Sequence, residues 1–379
     1  MGAGPQNRGS AWGEFILINQ PGTPSTQMAA EGITVVMCTY NGEAFVGQQL
    51  SSILSQTLAP AAIIVSDDGS DDQTLQIVET TARNGQVPIR ILRNRERLGF
   101  AENFLQACDY VATPLIAFSD QDDIWAAKKL AKTYSAKVLH KAKLCVHSVE
   151  KIDSRGVLIE RRRRPWTPVR VVEPLHSHPW GNFLGFTMLF DRALLDNIPR
   201  ERRGVDPHTH YAKLSHDRWI YFLASTFGKT VIVNENLAKY RQHGSQLYGG
   251  TKRRGVRERF VTKLADGRTQ ATYLSAVAGA RAAVLEDLAP AKDARTWLAG
   301  AAWWRAVESH LAGSAELYGH TSALQRLRLL GDNSRHGVYR SFKRGGLGMR
   351  RLIEDALVAI SPLLKSGSRE SSDYSPPAG

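Results

Sequence analysis

Three short apolar runs, each giving way at once to a cluster of polar residues, constrain this chain more than any other feature. Ile33–Cys38 leads into Thr39-Tyr40-Asn41-Gly42-Glu43, Ala62–Ser66 into Asp67-Asp68-Gly69-Ser70-Asp71-Asp72, and Leu115–Phe118 into Ser119-Asp120-Gln121-Asp122-Asp123. Continuous β-branched and apolar runs bounded by turn residues are the pattern of buried strands. Between them the spacing turns helical. Val46, Leu50, Ile53 and Leu54 share one face, with Pro60 closing the segment. Thr74–Ala82 reads as a second helix, Ile89–Leu92 as a strand, and Phe100, Phe104, Cys108 and Val111 as the apolar face of a third helix. Strands alternating with helices imply an α/β fold, a parallel sheet covered on both sides. Ligands of such sheets collect beyond the carboxyl ends of the strands, so the three polar loops are expected to converge on one edge.

At 379 residues the chain is long enough for one large or two ordinary domains. No run approaches the roughly 18 to 20 uncharged apolar residues that span a bilayer. The opening segment contains Phe15-Ile16-Leu17-Ile18 but no long apolar stretch behind a basic start, so it reads as a disordered lead over 1–31 rather than a secretory signal. Cys38, Cys108 and Cys145 lie in apolar segments without metal-ligand spacing, the pattern of reduced core thiols in a cytoplasmic protein. A net charge of +13 calls for an anionic partner. The charge concentrates at Arg161–Arg164, Lys252–Arg259 and Arg340–Arg351, which serve either as solvated faces or as contacts with a membrane surface. No aromatic-basic platform or helix-turn-helix signature supports nucleic acid as the partner.

Beyond residue 145, strands at Leu144–Val149, Phe183–Phe190 and Thr230–Val233 mix with helices at Leu194–Ile198 and Asp217–Thr226, extending one α/β domain over 32–250. A helical region follows over 251–365, with breaks near Pro290, Gly331 and Gly345–Gly348. Leu311, Leu317, Leu324, Leu327 and Leu330 read as its packing positions. The Ser-, Pro- and Gly-rich segment 366–379 reads as a disordered tail.

The acidic loops carry the chemistry. Asp120, Asp122 and Asp123 at a strand end offer ligands for a divalent cation of the kind that neutralises charge on departing phosphates. They equally suit an acidic turn, with Asp123 capping the next helix. Asp67 and Asp68 could accept a hydrogen bond from a pyrimidine ring or cap the helix after Gly69. No Gly-x-Gly-x-x-Gly follows the first strand, which argues against a dinucleotide-dependent oxidoreductase.

Taken in order, Val35–Gly42, Ser51–Thr57, Val65–Asp72, Asn94, Leu98-Gly99, Asn103 and Ser119–Trp125 resemble the inverting family 2 glycosyltransferases of the GT-A fold, a Rossmann-like, mostly parallel sheet flanked by helices. The resemblance covers about residues 33–245. It implies that Thr39, Tyr40, Asn41, Asp67 and Asp68 bind the nucleotide, and that Asp120 and Asp122 form an Asp-x-Asp pair in which Asp122 ligates Mg²⁺ or Mn²⁺. Ser215-His216-Asp217-Arg218-Trp219 resembles the family's base motif, making Asp217 the group that takes the acceptor's proton. Without the resemblance Asp217 reads as a helix cap or an ion-pair partner.

His216 stands where relatives often carry an acid, and it could tune Asp217, touch the acceptor or be structural. Tyr240–Gln246 resembles a segment near the donor pyrophosphate, where Arg241 or His243 would meet phosphate or metal, or form an ordinary basic loop. Trp180-Gly181-Asn182 and Gly185-Phe186-Thr187 read as tight turns feeding a core strand. Within the family the loop spacings are most similar to rhamnosyltransferase-type members that build O-antigen and other cell-surface polysaccharides. That implies a dTDP-L-rhamnose donor, a glycan or lipid-linked acceptor, and a cytoplasmic protein touching the inner, anionic membrane face. A catalytically inactive sugar-nucleotide-binding or scaffold protein of the same fold is the alternative.

Overall fold

The computed structural model describes residues 12–18, 32–83, 86–161, 167–209, 212–244, 256–291, 293–320 and 322–360. The chain divides into two compact units, Met1–Thr251 and Lys252–Gly379.

The first unit is built on one mixed sheet. In chain order its leading strands are β1 (Trp12–Ile18), β2 (Ile33–Thr39), β3 (Ala62–Asp67), β4 (Ile89–Asn94) and β5 (Leu115–Ser119). β2 is buried along its whole length and lies parallel to β3 on one side and β5 on the other, with β4 parallel to β3 beyond. The helices α1 (Val46–Leu54), α2 (Thr74–Arg83) and α3 (Phe100–Ala107) connect these strands. Val35, Met37, Leu50, Ile53, Ile63 and Val65 meet in the core, each contributing on the order of 1.5–3 kcal/mol by leaving water.

Residues 12–18, expected to lack structure, form β1, antiparallel to β4 from Trp12 opposite Asn94 to Ile18 opposite Ile89. The aromatic and β-branched composition of Trp12–Ile18 suits a strand once β4 offers an edge.

The second half of the sheet is mixed. β10 (Leu189–Asp191) runs antiparallel between β5 and β7 (Leu144–Ile152), and β11 (Thr230–Arg241) lies parallel to β7. The far edge of β11 carries β9 (Val169–Val172) along its first part and β6 (Ile124–Trp125) along its last. β8 (Leu158–Arg161) pairs with β7. α4 (Lys129–Leu139) and α5 (His216–Phe227) complete the unit. Because β6 follows β5 after only Asp120–Asp123, the chain there crosses to the end of β11. That crossing sets where the acidic loop lies.

Local differences from the sequence reading have identifiable causes. The strand expected at Phe183–Phe190 is reduced to β10, preceded by a 3₁₀ turn at Gly185–Thr187. A Cβ on Gly185 would lie 2.6 Å from His216 Nε2, so only glycine fits against that ring. Leu194–Ile198 is not an α-helix. A 3₁₀ segment, Arg192–Asp196, stands there and stops short of Pro199. The third helix ends at Ala107 in a 3₁₀ turn, leaving Val111 extended. All three cysteines are buried thiols.

The second unit is helical, with α6 (Val256–Leu288), α7 (Ala294–Gly319), α8 (Ala323–Arg335) and α9 (Gly348–Ile360). Neighbouring helices pack in sequence, α6 on α7, α7 on α8 and α8 on α9. Ala271, Leu317, Tyr318 and Val358 form its core. Fully buried Asp355 accepts hydrogen bonds from Ser314, Tyr318 and Tyr339 and pairs with Arg351. Leu311 and Leu317 are buried as expected, whereas Leu324 is 79% and Leu327 45% exposed, so those two are not packing positions. Among the described residues no helix is long and apolar enough to cross a membrane. The rest of the lead (1–11 and 19–31), the tail 366–379 and the basic runs at 162–164 and 252–255 lie outside the described residues.

Candidate functional site

The loop after β2 is set by Asn41, whose φ of 45° lies in the left-handed region that asparagine tolerates. Its side chain accepts from the Asp71 N–H (3.1 Å), its own N–H donates to Ser70 Oγ (3.0 Å), and the Gly42 N–H donates to Thr74 Oγ1 (2.7 Å). Two loops are thereby stitched together. Asp67, fully buried, completes the seam. Its Oδ1 accepts from the hydroxyls of Thr39 (2.8 Å) and Ser70 (2.6 Å), and Oδ2 from the N–H groups of Gly69 (3.2 Å) and Ser70 (2.8 Å). Asp68 turns inward as well, accepting from Asn94 Nδ2 (2.9 Å), Leu98 N–H (2.7 Å) and Gly99 N–H (2.8 Å).

The nucleotide-binding set expected from sequence is therefore divided. Thr39, Asp67 and Asp68 are buried and spent on holding loops, while Tyr40 and Asn41 reach the surface. Tyr40 lies under the Arg97 guanidinium, 3.8 Å from ring centroid to Cζ.

The crossing from β5 to β6 presses the acidic loop against the end of β11. Asp122 Oδ2 lies 2.8 Å from His243 Nε2, and the Asp122 carbonyl accepts from Arg241 Nε (2.8 Å). Arg241 is 2% exposed. It also donates to the Ser154 carbonyl (3.0 Å) and Gln48 Oε1 (2.7 Å), and stands over the Phe45 ring. These contacts correct the expectation that Arg241 meets a diphosphate, because its donors face carbonyls and it braces the loop. Nor is Asp123 a helix cap, since Lys128 holds the N-cap of α4. Asp123 is fully buried, and its Oδ1 accepts the backbone N–H of Arg241 (3.1 Å).

Beneath this loop lies Lys129, 1% exposed, whose Nζ donates to the Phe186 carbonyl (2.6 Å) and rests over the Trp125 ring. Desolvation holds its pKa well below the usual lysine range, against the pull of Asp123 and Asp120. Desolvation and the charges of Asp122 and Asp217 push Asp120 up to about 7. Asp122 and Asp217 thus each lie within electrostatic reach of Asp120.

Asp217 sits in the first turn of α5, where the helix dipole favours a carboxylate. Oδ1 accepts from Ser215 Oγ (2.6 Å) and the Arg218 N–H (2.8 Å), and Oδ2 from Asn182 Nδ2 (3.3 Å). Trp219, Ile220 and Leu223 anchor the helix in the core. His216 fills an aromatic cage, stacked on Phe104 at 4.1 Å and edge-on to Phe118 and Phe100. Neither ring nitrogen has a hydrogen-bond partner among the described residues. Desolvation lowers its pKa to about 4 despite the neighbouring Asp217. His216 takes the structural alternative, a neutral packing ring.

Residues 34–198 match the family model described as glycosyl transferase family 2. Over that stretch, less than half of the chain, the protein is similar to the family. It is 37% identical over 110 residues to the dTDP-rhamnosyl transferase RfbG of Shigella flexneri, a match covering 28% of this chain and 38% of that protein. It is 30% identical over 127 residues to the UDP-Glc:alpha-D-GlcNAc-diphosphoundecaprenol beta-1,3-glucosyltransferase WfgD of Escherichia coli, covering 33% and 49%. The chain thus spans less than half the length of either relative. Its structure resembles S. aureus TarS 1–349 in complex with UDP-GlcNAc, with a TM-score of 0.51 at 16% identity over 86% of this chain and 88% of that one. The fold is accordingly GT-A, with a helical region at its C-terminal end.

Several residues of this site escape a sequence reading. Gln121 bridges the first and third loops, its Oε1 accepting the Tyr40 N–H and its Nε2 donating to the Tyr40 carbonyl, both at 2.9 Å. Asn182 looked like part of a turn, yet it orients Asp217. Lys129 carried one legible signal, a lysine beside a tryptophan just after an acidic strand end. Among the described residues no group of three or more His, Cys, Asp and Glu side chains is arranged to hold a metal. Asp122 and His243 bring an oxygen and a nitrogen donor to one point, 2.8 Å apart.

Proposed function

We propose that the protein is an inverting glycosyltransferase, moving a hexosyl group from a nucleoside-diphosphate donor to an acceptor hydroxyl. The observation that supports this reading is that Asp120, in the loop after β5, feels the charges both of Asp122 in the same loop and of Asp217 at the start of α5. In a single displacement, the acceptor oxygen bonds to the anomeric carbon as the bond to the diphosphate breaks, and the acceptor's proton passes to Asp217. Ser215 and Asn182 hold that carboxylate in one orientation, so little is spent on arranging it during reaction. Asp122 and His243 would hold Mg²⁺ or Mn²⁺, which when bound neutralises charge on the departing diphosphate. Tyr40, stacked with Arg97, offers an exposed face for the pyrimidine, and Asn41 fixes the loop that presents it.

The favoured donor is dTDP-L-rhamnose. It is supported by the loop spacings and by the 37% identity to a dTDP-rhamnosyl transferase over 110 residues. Inversion of its β linkage gives an α-L-rhamnoside. A cell-surface glycan precursor, free or lipid-linked at the inner membrane face, suits the +13 charge as acceptor.

The test is a panel of dTDP-rhamnose, UDP-glucose, UDP-galactose, UDP-N-acetylglucosamine and GDP-mannose, with and without Mg²⁺ or Mn²⁺. One donor should raise the melting temperature only with a cation, and Asp122→Ala should abolish that shift. Asp217→Asn should still bind donor while transfer falls by roughly a hundredfold or more. Equal turnover by Asp217→Asn would overturn the mechanism.

A further inference from the structure

The C-terminal unit carries an exposed apolar surface. α9 is apolar on two opposite sides. Asp355, Val358 and Ala359 are buried within the unit, whereas Met349, Ile353, Leu357 and Ile360 are 64%, 60%, 44% and 63% exposed. At about 100° per residue these four fall within an arc of roughly 80°, facing away from the buried three. A surface helix ordinarily carries polar residues there, and a contiguous exposed apolar strip marks a contact surface.

The charges nearby indicate what it contacts. Arg340 and Lys343, in the turn leading into α9, and Arg328 on α8 are exposed. None of the three is in an ion pair among the described residues. The neighbouring acids are already matched, Glu354 by Arg350 and Asp332 by Arg335, both at 3.1 Å. We propose that α9 seats the protein on an anionic bilayer, with Met349, Ile353, Leu357 and Ile360 in the boundary between headgroups and acyl chains and the free cations against lipid phosphates. A second copy fits less well, because a two-fold contact through this strip would set the same cations of both copies against each other. The inference goes beyond glycosyl transfer and holds whichever sugar is moved.

Co-sedimentation of the full chain with vesicles, in the absence of donor and acceptor, tests it directly. The protein should bind vesicles of phosphatidylcholine mixed with phosphatidylglycerol but not phosphatidylcholine alone, and binding should weaken as salt rises. The Ile353→Glu/Leu357→Glu double variant should lose at least about tenfold in affinity with unchanged thermal unfolding, both side chains being exposed. Arg340→Glu/Lys343→Glu should weaken binding and remove most of its salt dependence. The proposal is overturned if the wild type binds neither vesicle or both equally, or if the Ile353→Glu/Leu357→Glu protein binds as the wild type does. A wild-type dimer in light scattering that this variant splits would also overturn it, making a second copy the occupant. Since no donor is present, a negative result leaves sugar transfer untouched, and Asp217→Asn should bind vesicles like the wild type.

Discussion

At His216 and Asp217, adjacent in sequence, burial produces opposite uses of two titratable side chains. Asp217 is held by donors and acts electrostatically on Asp120, while His216 is stacked among phenylalanines with no hydrogen-bond partner for either nitrogen among the described residues. The sequence places them side by side but does not reveal that the helix turns one toward the loops and the other into the core. The His216 pKa, lowered to about 4 from an unfolded value near 6.5, makes stability depend on pH in a definite direction. Above about pH 6.5 the ring is neutral in both states and its contribution is complete. As pH falls toward 4 the unfolded chain takes up the proton first, and about 3 kcal/mol of stability is lost across that window. Urea unfolding of wild type and His216→Phe over this range should show a difference in stability that shifts toward the variant as pH falls. A pH-independent difference would mean that the buried ring is not the group responsible.

β11 does more for the site than its length suggests, because its last residue holds the acidic loop at two points. The Arg241 N–H donates to Asp123, and the Arg241 side chain donates to the carbonyls of Asp122 and Ser154 and to Gln48. Removing that side chain takes a donor from each of these acceptors. Arg241→Ala should cost roughly 2–4 kcal/mol in denaturant unfolding and weaken cation-dependent donor binding, since Asp122 loses its brace. Arg241→Lys should fall between the two proteins in both measurements, and unaltered donor binding in a destabilised Arg241→Ala protein would show that the brace does not reach the site. Elements of this kind mark the limit of what a sequence discloses. β2, β3 and β5 were legible because an apolar run stopping at polar residues is a local signal. The hydrogen bond from Thr39 to Asp67, by contrast, joins residues on different strands, and the approach of Gly185 to His216 joins segments far apart in the chain. The exposure of Leu324 and Leu327 was hidden for the same reason, because periodicity identifies an apolar face without saying what covers it.

For the whole molecule, the arrangement of cores bears on how ligand binding should register in stability. Val35, Ile63 and Leu237 belong to one apolar cluster within the first unit, and Ala271, Leu317 and Val358 to another within the second. Every residue assigned to donor, cation or base precedes Gly244, and α9 belongs to the second unit. A ligand that binds only the native form of one unit stabilises that unit, and units with separate cores unfold in separable steps. Differential scanning calorimetry should therefore show two transitions. Saturating donor nucleotide with cation, at about a hundred times its dissociation constant, should raise one of them by roughly 5–10 °C and leave the other in place. Ile353→Glu/Leu357→Glu should shift neither, because its side chains lie on the exposed side of α9. If a single transition instead carried the whole shift, the two units would unfold as one cooperative block, and a change in the helical unit would then be felt at the sugar site.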